Sequence, residues 1–300
     1  MTEMNFEFSE TQLMIKDMAR KFAEEELAPT AMERDEKEEF PHEQVKKMGE
    51  LGLMGMMVEE QWGGAGLDTI SYVLAMEEIS KVDASAGVIM SVNNSLVCWG
   101  IDVHGTEDQK ERYLRDLASG RKLGAFALSE PEAGSDSTNQ HTSAKRDGDN
   151  YILNGSKNFI TNGSNADLVL VMAATDRTKG AKGVSAFIVE KNFPGFSVAK
   201  KERKLGIRSS DTVSIAFQDC KIPAANLIGQ EGSGMKFALS TLDGGRIGIA
   251  AQALGIAQGS LEASIKFSKE RKAFGKPIGE LQAIQFKLAD MATNVEAARM

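Results

Sequence analysis

Cysteine and histidine are scarce in this chain, two of one and three of the other among 300 residues. Cys98 and Cys220 stand far apart and His42, His104 and His141 are scattered, so no Cys/His ligand spacing and no disulfide framework can be drawn. Each histidine reads as a surface or capping residue. A metal centre and a Ser–His nucleophile pair are both disfavoured, which leaves a bound organic cofactor as the source of any difficult chemistry. Long apolar runs are also missing: LVLVMAA at 168–174 is only strand-length, against the roughly 18 apolar residues that span a bilayer, so a membrane protein is not expected. The start, MTEMNFEFSE, has neither a basic stretch nor an apolar core of the secretory kind. Together with the few cysteines this points to a reducing compartment, a bacterial cytoplasm or a mitochondrial matrix. Excess positive charge is absent too. A net charge of −8 argues against nucleic acid, whose phosphates need clustered Lys and Arg.

What is present is a change of pattern along the chain. Up to about residue 121 the sequence reads as helical. Ser9 caps a first helix that ends near Pro29, a second follows Pro41, and QWGGAG at 61–66 is a loop. Asp68 or Thr69 caps a third helix, a break falls near Asp83, and a further helix runs from Glu107 to Leu117. Residues 122–231 carry short β-prone runs between Gly, Asn and Asp turns, which predicts an antiparallel β domain. In it, YILNGS and KNFIT are expected to pair as a hairpin about a glycine turn. From 232 to 300 helical periodicity returns over Met235–Leu242, Ile247–Lys269 and Leu281–Met300. The fold class expected is therefore α+β multidomain: a helical domain, a central antiparallel β domain, and the first, incomplete part of a helical bundle.

Four segments could carry chemistry. In FALSEPEAGSD (126–136) a strand enters a loop of small and turn-forming residues, so backbone N–H groups beside Leu128 and the Ser129 hydroxyl could meet a flavin edge; an ordinary strand-to-turn connection reads the same way. In KNFITNG (157–163) Phe159 and Thr161 fall on one strand face, either against a ligand or with Phe159 in the core. In LDGGRIGIAAQALGIAQG (242–259) Asp243 could cap a helix and Arg246 reach a phosphate, while the glycines serve a ligand or tight helix packing equally well. In KERKAFGKPIGELQAI (269–284) Arg271 suits a pyrophosphate and Gln282 a hydroxyl, or both sit on a solvated turn.

Together and in this order, FALSEPEAGSD, KNFITNG, LDGGRIGIAAQALG and ERKAFGKPI resemble the signature segments of the acyl-CoA dehydrogenase family, and the resemblance covers the whole chain. It implies FAD held between the β domain and the C-terminal bundle, across a subunit boundary of a homotetramer. By that resemblance Phe126, Leu128, Ser129, Gly134, Ser135, Phe159, Ile160 and Thr161 contact FAD, and Arg271 and Gln282 reach it from a neighbouring subunit. Ser135, Asp243, Gly244, Gly245 and Arg246 meet the acyl-CoA. Many relatives have tryptophan where this chain has Phe159, which keeps ring packing without an indole donor. The implied reaction removes an α-proton while a hydride leaves the β-carbon, and electrons pass to an electron-transfer flavoprotein. The family's base is a glutamate that most branches place well beyond position 300 and one branch places two residues after the aspartate of the LDGGR-like segment. That position is Gly245 here, so the base is expected outside residues 1–300, and neither Glu130 nor Glu262 is assigned the role. An acyl-CoA oxidase and a non-catalytic FAD- and CoA-binding scaffold are the competing readings.

Overall fold

A computed structural model of the chain describes residues 6–300. The helical region comprises α1 (Glu10–Phe22), α2 (Ala31–Lys37), α3 (His42–Glu50), α4 (Thr69–Val82), α5 (Ala84–Ser91), α6 (Trp99–His104), α7 (Glu107–Gln109) and α8 (Arg115–Ala118). Its boundaries follow the capping signals. Ser9 Oγ accepts the Gln12 N–H at 3.2 Å and Gln12 Oε1 accepts the Ser9 N–H at 2.9 Å, a reciprocal capping box that satisfies two donors of the first turn. Pro29 follows the end of α1 and of the π turn Ala23–Leu27 behind it. Asp83 ends α4 and starts α5; Arg34 holds its carboxylate at 2.7 Å with both side chains buried.

Asp68 caps α4 through Ser71 N–H at 2.7 Å, and this backbone hydrogen bond holds its carboxyl below the usual carboxylate value. Asp68→Ala is expected to lower stability by about 1 kcal/mol. Because the folded-state value is depressed, that contribution is present above the ordinary carboxylate range and is lost as pH falls through the folded value. Urea unfolding of both forms at neutral and acid pH checks this: the gap between them should narrow in acid.

Residues 84–104 form one helical stretch of 21 residues, α5, a π turn (Val92–Cys98) and α6. By length and composition it could cross a membrane, contrary to the expectation that no segment approaches that limit; polar Asn93, Asn94 and Ser95 masked the run. Its apolar surface is spent inside the fold, where 83% of the window is buried. Asn94 donates to Leu53 and Met90 carbonyls and accepts the Met56 N–H at 2.7 Å, and Asn93 accepts the Gly124 N–H at 3.0 Å, so the helix is stitched to both neighbouring segments.

The central strands are β1 (Gly124–Ala127), β2 (Ser143–Asp147), β3 (Asn150–Thr161), β4 (Leu168–Ala174), β5 (Val184–Glu190), β6 (Phe196–Lys201), β7 (Thr212–Pro223) and β8 (Leu227–Ile228). They form one sheet in the order β6-β7-β3-β2-β4-β5-β8, with β1 on β4. Pairing is antiparallel except that β4 runs parallel to β1 and, at one position, to β2. The hairpin expected around Gly155 does not exist: β3 is a single strand, and the turn lies earlier, at Gly148 (φ +57°), between β2 and β3. Gly155 serves close approach instead. A Cβ there would lie 2.6 Å from Thr142 Cα, and its φ of +142° suits glycine.

Two long helices follow, α9 (Gly234–Glu270) and α10 (Gln282–Arg299), joined by a small hairpin of β9 (Lys272–Ala273) and β10 (Lys276–Pro277). The two helices expected before residue 270 are one helix of 37 residues, and Asp243 lies inside it rather than at a cap. Tertiary packing overrides the glycines. Their missing side chains let α9 lie against the N-terminal helices: a Cβ at Gly248 would sit 2.4 Å from Tyr72 Oη, and one at Gly255 2.5 Å from the Glu77 carbonyl. Farther out, α9 and α10 keep Ile249, Ile256, Phe267 and Phe286 exposed.

Candidate active site

The loop after β1 and the end of β3 are built as one unit. Opposite Lys157 and Ile160 of β3 stand Ile215 and Val213 of β7, so Asn158 and Phe159 together face the single residue Ser214, a β-bulge. Phe159 takes the left-handed conformation (φ +60°) there, and its ring is thrown outward, 67% exposed. Released from the ladder, the Asn158 N–H donates to the Ser129 carbonyl at 2.8 Å. Lys157, one residue earlier, points inward and is fully buried. Its ammonium donates to Glu130 Oε1 at 2.7 Å, to the Leu128 carbonyl at 3.2 Å and to Gln140 Oε1. Glu130 in turn accepts the backbone N–H groups of His141 (2.6 Å) and Thr142 (3.0 Å).

Burial pulls the Lys157 ammonium down to about 8, with Glu130 opposing the shift. Burial would raise the Glu130 carboxyl, but the Lys157 charge and hydrogen bonds outweigh it and hold the group below its usual value. A carboxylate so engaged is structural, which agrees with leaving Glu130 without a catalytic part. Glu262 is exposed on α9, 3.7 Å from Lys81 Nζ.

Phe126 is half-buried, its ring stacked on Phe237 of α9 at 6.4 Å between centroids. His104, half-buried at the end of α6, meets Phe237 edge-on at 5.3 Å and contacts Ser240 Oγ at 3.0 Å. Leu128 and Ser129 are partly exposed, and Gly134 and Ser135 are exposed; a Cβ at Gly134 would meet nothing within 4 Å, which leaves the backbone open to a ligand. Ile160 is buried in the sheet, whereas its neighbours Phe159 and Thr161 are exposed and partly exposed. Phe159 is therefore not a core residue.

On α9, Asp243 and Arg246 are exposed and ion-paired with each other, and Gly244 is half-buried. Gly245 is buried against Leu96, whose Cδ2 would lie 2.8 Å from an added Cβ, so it and Gly248 and Gly255 serve helix packing. Arg271 and Gln282 are exposed near the small hairpin. They do not join the other residues: 34 helical positions separate Phe237, which touches Phe126, from Arg271, a distance of about 50 Å at 1.5 Å per residue. One chain cannot place Phe126 and Arg271 on the same small molecule.

Sequence reasoning missed Lys157, Glu130, Gln140 and Phe237 as builders of this site. A signal for Lys157 existed. Tyr151 and Leu153 are inward residues of β3, and counting by twos from them arrives at 157, so a lysine there must be buried and must have a partner.

A helical region, a β domain with an outward aromatic on a bulge beside a glycine loop, and a long helix crossing both define an acyl-CoA dehydrogenase architecture. Three family models match in order: the acyl-CoA dehydrogenase N-terminal domain over residues 9–121, the middle domain over 125–220 and the C-terminal domain over 232–300. The chain belongs to the acyl-CoA dehydrogenase family. More narrowly, it is 52% identical over 296 residues to the short-chain specific acyl-CoA dehydrogenase of Clostridium acetobutylicum, covering 99% of this chain and 78% of that protein. The mitochondrial short-chain specific enzyme of Mus musculus is 52% identical over 294 residues, 98% of this chain and 71% of that one. Among solved structures, butyryl-CoA dehydrogenase from Megasphaera elsdenii superposes with a TM-score of 0.96 at 48% identity, over 99% of this chain and 78% of that one. A chain from a study of the electron transferring flavoprotein of Acidaminococcus fermentans does so with a TM-score of 0.98 at 53% identity, over 99% and 78%. A glutaryl-CoA dehydrogenase from Mycobacterium smegmatis, solved with FADH2, matches with a TM-score of 0.91 at 35% identity, over 97% and 74%.

Proposed function

We propose that this chain seats FAD on the Phe126–Ser135 loop and the Phe159–Thr161 bulge and serves the α,β-dehydrogenation of short-chain acyl-CoA thioesters, with electrons passed to an electron-transfer flavoprotein. The observation that carries the reading is the joining of these two segments. The bulge offers an exposed aromatic face at Phe159, and the loop beside it has an open backbone at Gly134 and a Ser129 N–H that has no hydrogen-bond partner among the described residues. Those groups fit a planar, acceptor-edged ring: an aromatic face for packing and an unspent donor for its edge. The similar short-chain enzymes and the FADH2-bound relative support the same cofactor and substrate class.

When bound, FAD would supply the acceptor for the hydride that leaves the substrate's β-carbon. The chain's own part is positioning. Ser129 donates from backbone and hydroxyl, Thr161 presents its hydroxyl beside Phe159, and Ser135 with Asp243, Gly244 and Arg246 lies along the thioester and its CoA, while Gly245, buried against Leu96, is left to helix packing. The distance of about 50 Å along α9 supports Arg271 and Gln282 acting on a neighbouring subunit's FAD, in a homotetramer. We take residues 1–121, 122–231 and 232–300 as the three domains, and the bacterial cytoplasm or mitochondrial matrix as the setting.

The proton-removing glutamate is assigned outside residues 1–300. In support, Gly245 occupies the alternative family position and is packed against Leu96, and Glu130 is committed to Lys157. The 300-residue chain, loaded with FAD and given butyryl-CoA and a dye acceptor, should therefore show no turnover above background. Dye reduction dependent on butyryl-CoA would overturn this assignment.

A further inference from the structure

We infer that Lys157 is a positioning residue for the flavin seat: its buried ammonium, by holding the Leu128 carbonyl, sets the direction of the Ser129 N–H. The inference rests on the FAD reading above and adds to it the part that aims the donor. A trans peptide unit carries its C=O and N–H on opposite sides, so fixing the Leu128 carbonyl fixes the N–H of Ser129 in the same plane. Lys157 Nζ lies 3.2 Å from that carbonyl, and the next carbonyl, of Ser129, is held by the Asn158 N–H at 2.8 Å. Two successive peptide units of the loop are thus pinned to β3 by adjacent residues of one bulge. The Ser129 N–H is turned away from Lys157 and is left without a partner among the described residues.

The choice of a lysine follows from the geometry. The site is sealed, with Lys157 and Glu130 side chains 0% and 1% exposed, and three oxygens converge on Nζ from Leu128, Glu130 and Gln140. An ammonium supplies three donors to three acceptors, which no neutral side chain of that length does. Glu130 meanwhile spends its other bonds on the His141 and Thr142 N–H groups, anchoring the far end of the same loop at the start of β2. The network therefore clamps residues 128–142 at both ends against β3. Such over-determination is also what holds Phe159 at a positive φ, a conformation a bulky residue keeps only when its surroundings enforce it.

The test compares the unaltered protein with the double variant Lys157→Met with Glu130→Gln, which removes both charges and so avoids the lone buried ion that either single change would leave. FAD affinity is measured by fluorescence titration, the visible spectrum and midpoint potential of the bound flavin are recorded, and circular dichroism reports folding. The double variant should fold, bind FAD at least about tenfold more weakly, and shift the flavin spectrum and potential, since a misdirected donor changes the ring's electrons as well as its retention. A folded double variant with unaltered affinity, spectrum and potential would overturn the inference. Should that variant not fold, Lys157→Gln with Glu130→Gln, polar but too short to reach Leu128, is judged by the same two outcomes. Failure of the unaltered protein to bind FAD would instead sink the FAD reading, and this inference with it.

Discussion

Lys157→Met alone should be among the most destabilising single changes available in the β domain, lowering stability by about 3–5 kcal/mol. The replaced side chain fills nearly the same volume, so a cavity is not the cause. The cost arises because Glu130, 1% exposed at its side chain, loses the ammonium 2.7 Å away and remains charged in a sealed site, while Gln140 and the Leu128 carbonyl lose a donor. Coulomb attraction and hydrogen bonding are lost together, whereas the desolvation cost of the carboxylate stays. Adding Glu130→Gln should recover a large part of the loss, because an amide is far cheaper to bury than an unpaired charge. Urea denaturation of the three forms measures this; a single variant within 1 kcal/mol of the unaltered protein, a bound set by the scale of ordinary hydrogen bonds, would contradict it.

The second large effect concerns α9, where local propensity and packing point in opposite directions. An exposed helical glycine gains up to about 1 kcal/mol when replaced by alanine. Gly244, whose added Cβ would find only the Ser95 carbonyl at 3.9 Å, should behave that way, and Gly244→Ala should stabilise the protein. Gly255 is the opposite case: its Cβ would lie 2.5 Å from the Glu77 carbonyl and 2.9 Å from Ser80 Cβ, and a backbone carbonyl inside α4 cannot step aside cheaply. Gly255→Val should therefore cost about 3 kcal/mol by forcing the helices apart. Thermal melts of the two variants should move in opposite directions. Equal shifts would mean that the close α4–α9 packing does not limit stability.

These contrasts show where the sequence was readable. Capping residues act over three or four positions, so Ser9, Asp68 and Asp83 announced their helix boundaries without help from the rest of the fold. Glycine is ambiguous in the same short range. Gly155 looked like a turn and is a close approach to Thr142 just before β2, and Gly244 and Gly245 looked like a break between helices and lie inside one, while Gly248 and Gly255, open to a ligand or to packing, are contacts with α4, because only the opposing residues decide between the two. The site segments were legible as short motifs. Their supports were not, since Lys157, Glu130 and Gln140 meet across 27 and 17 residues of chain, and Phe126 meets Phe237 from another region altogether. The separation of Arg271 from Phe126 also needed the structure, which replaced two expected helices by one continuous rod.

FAD titration of the purified chain beside Ser129→Pro, which deletes the backbone donor next to the exposed Phe159 face, tests the proposed flavin seat most directly. Saturable FAD binding with a perturbed visible spectrum, weakened at least about tenfold in a Ser129→Pro protein of unchanged circular dichroism, is the predicted result. No FAD binding, or equal affinity and spectrum in both proteins, would contradict it.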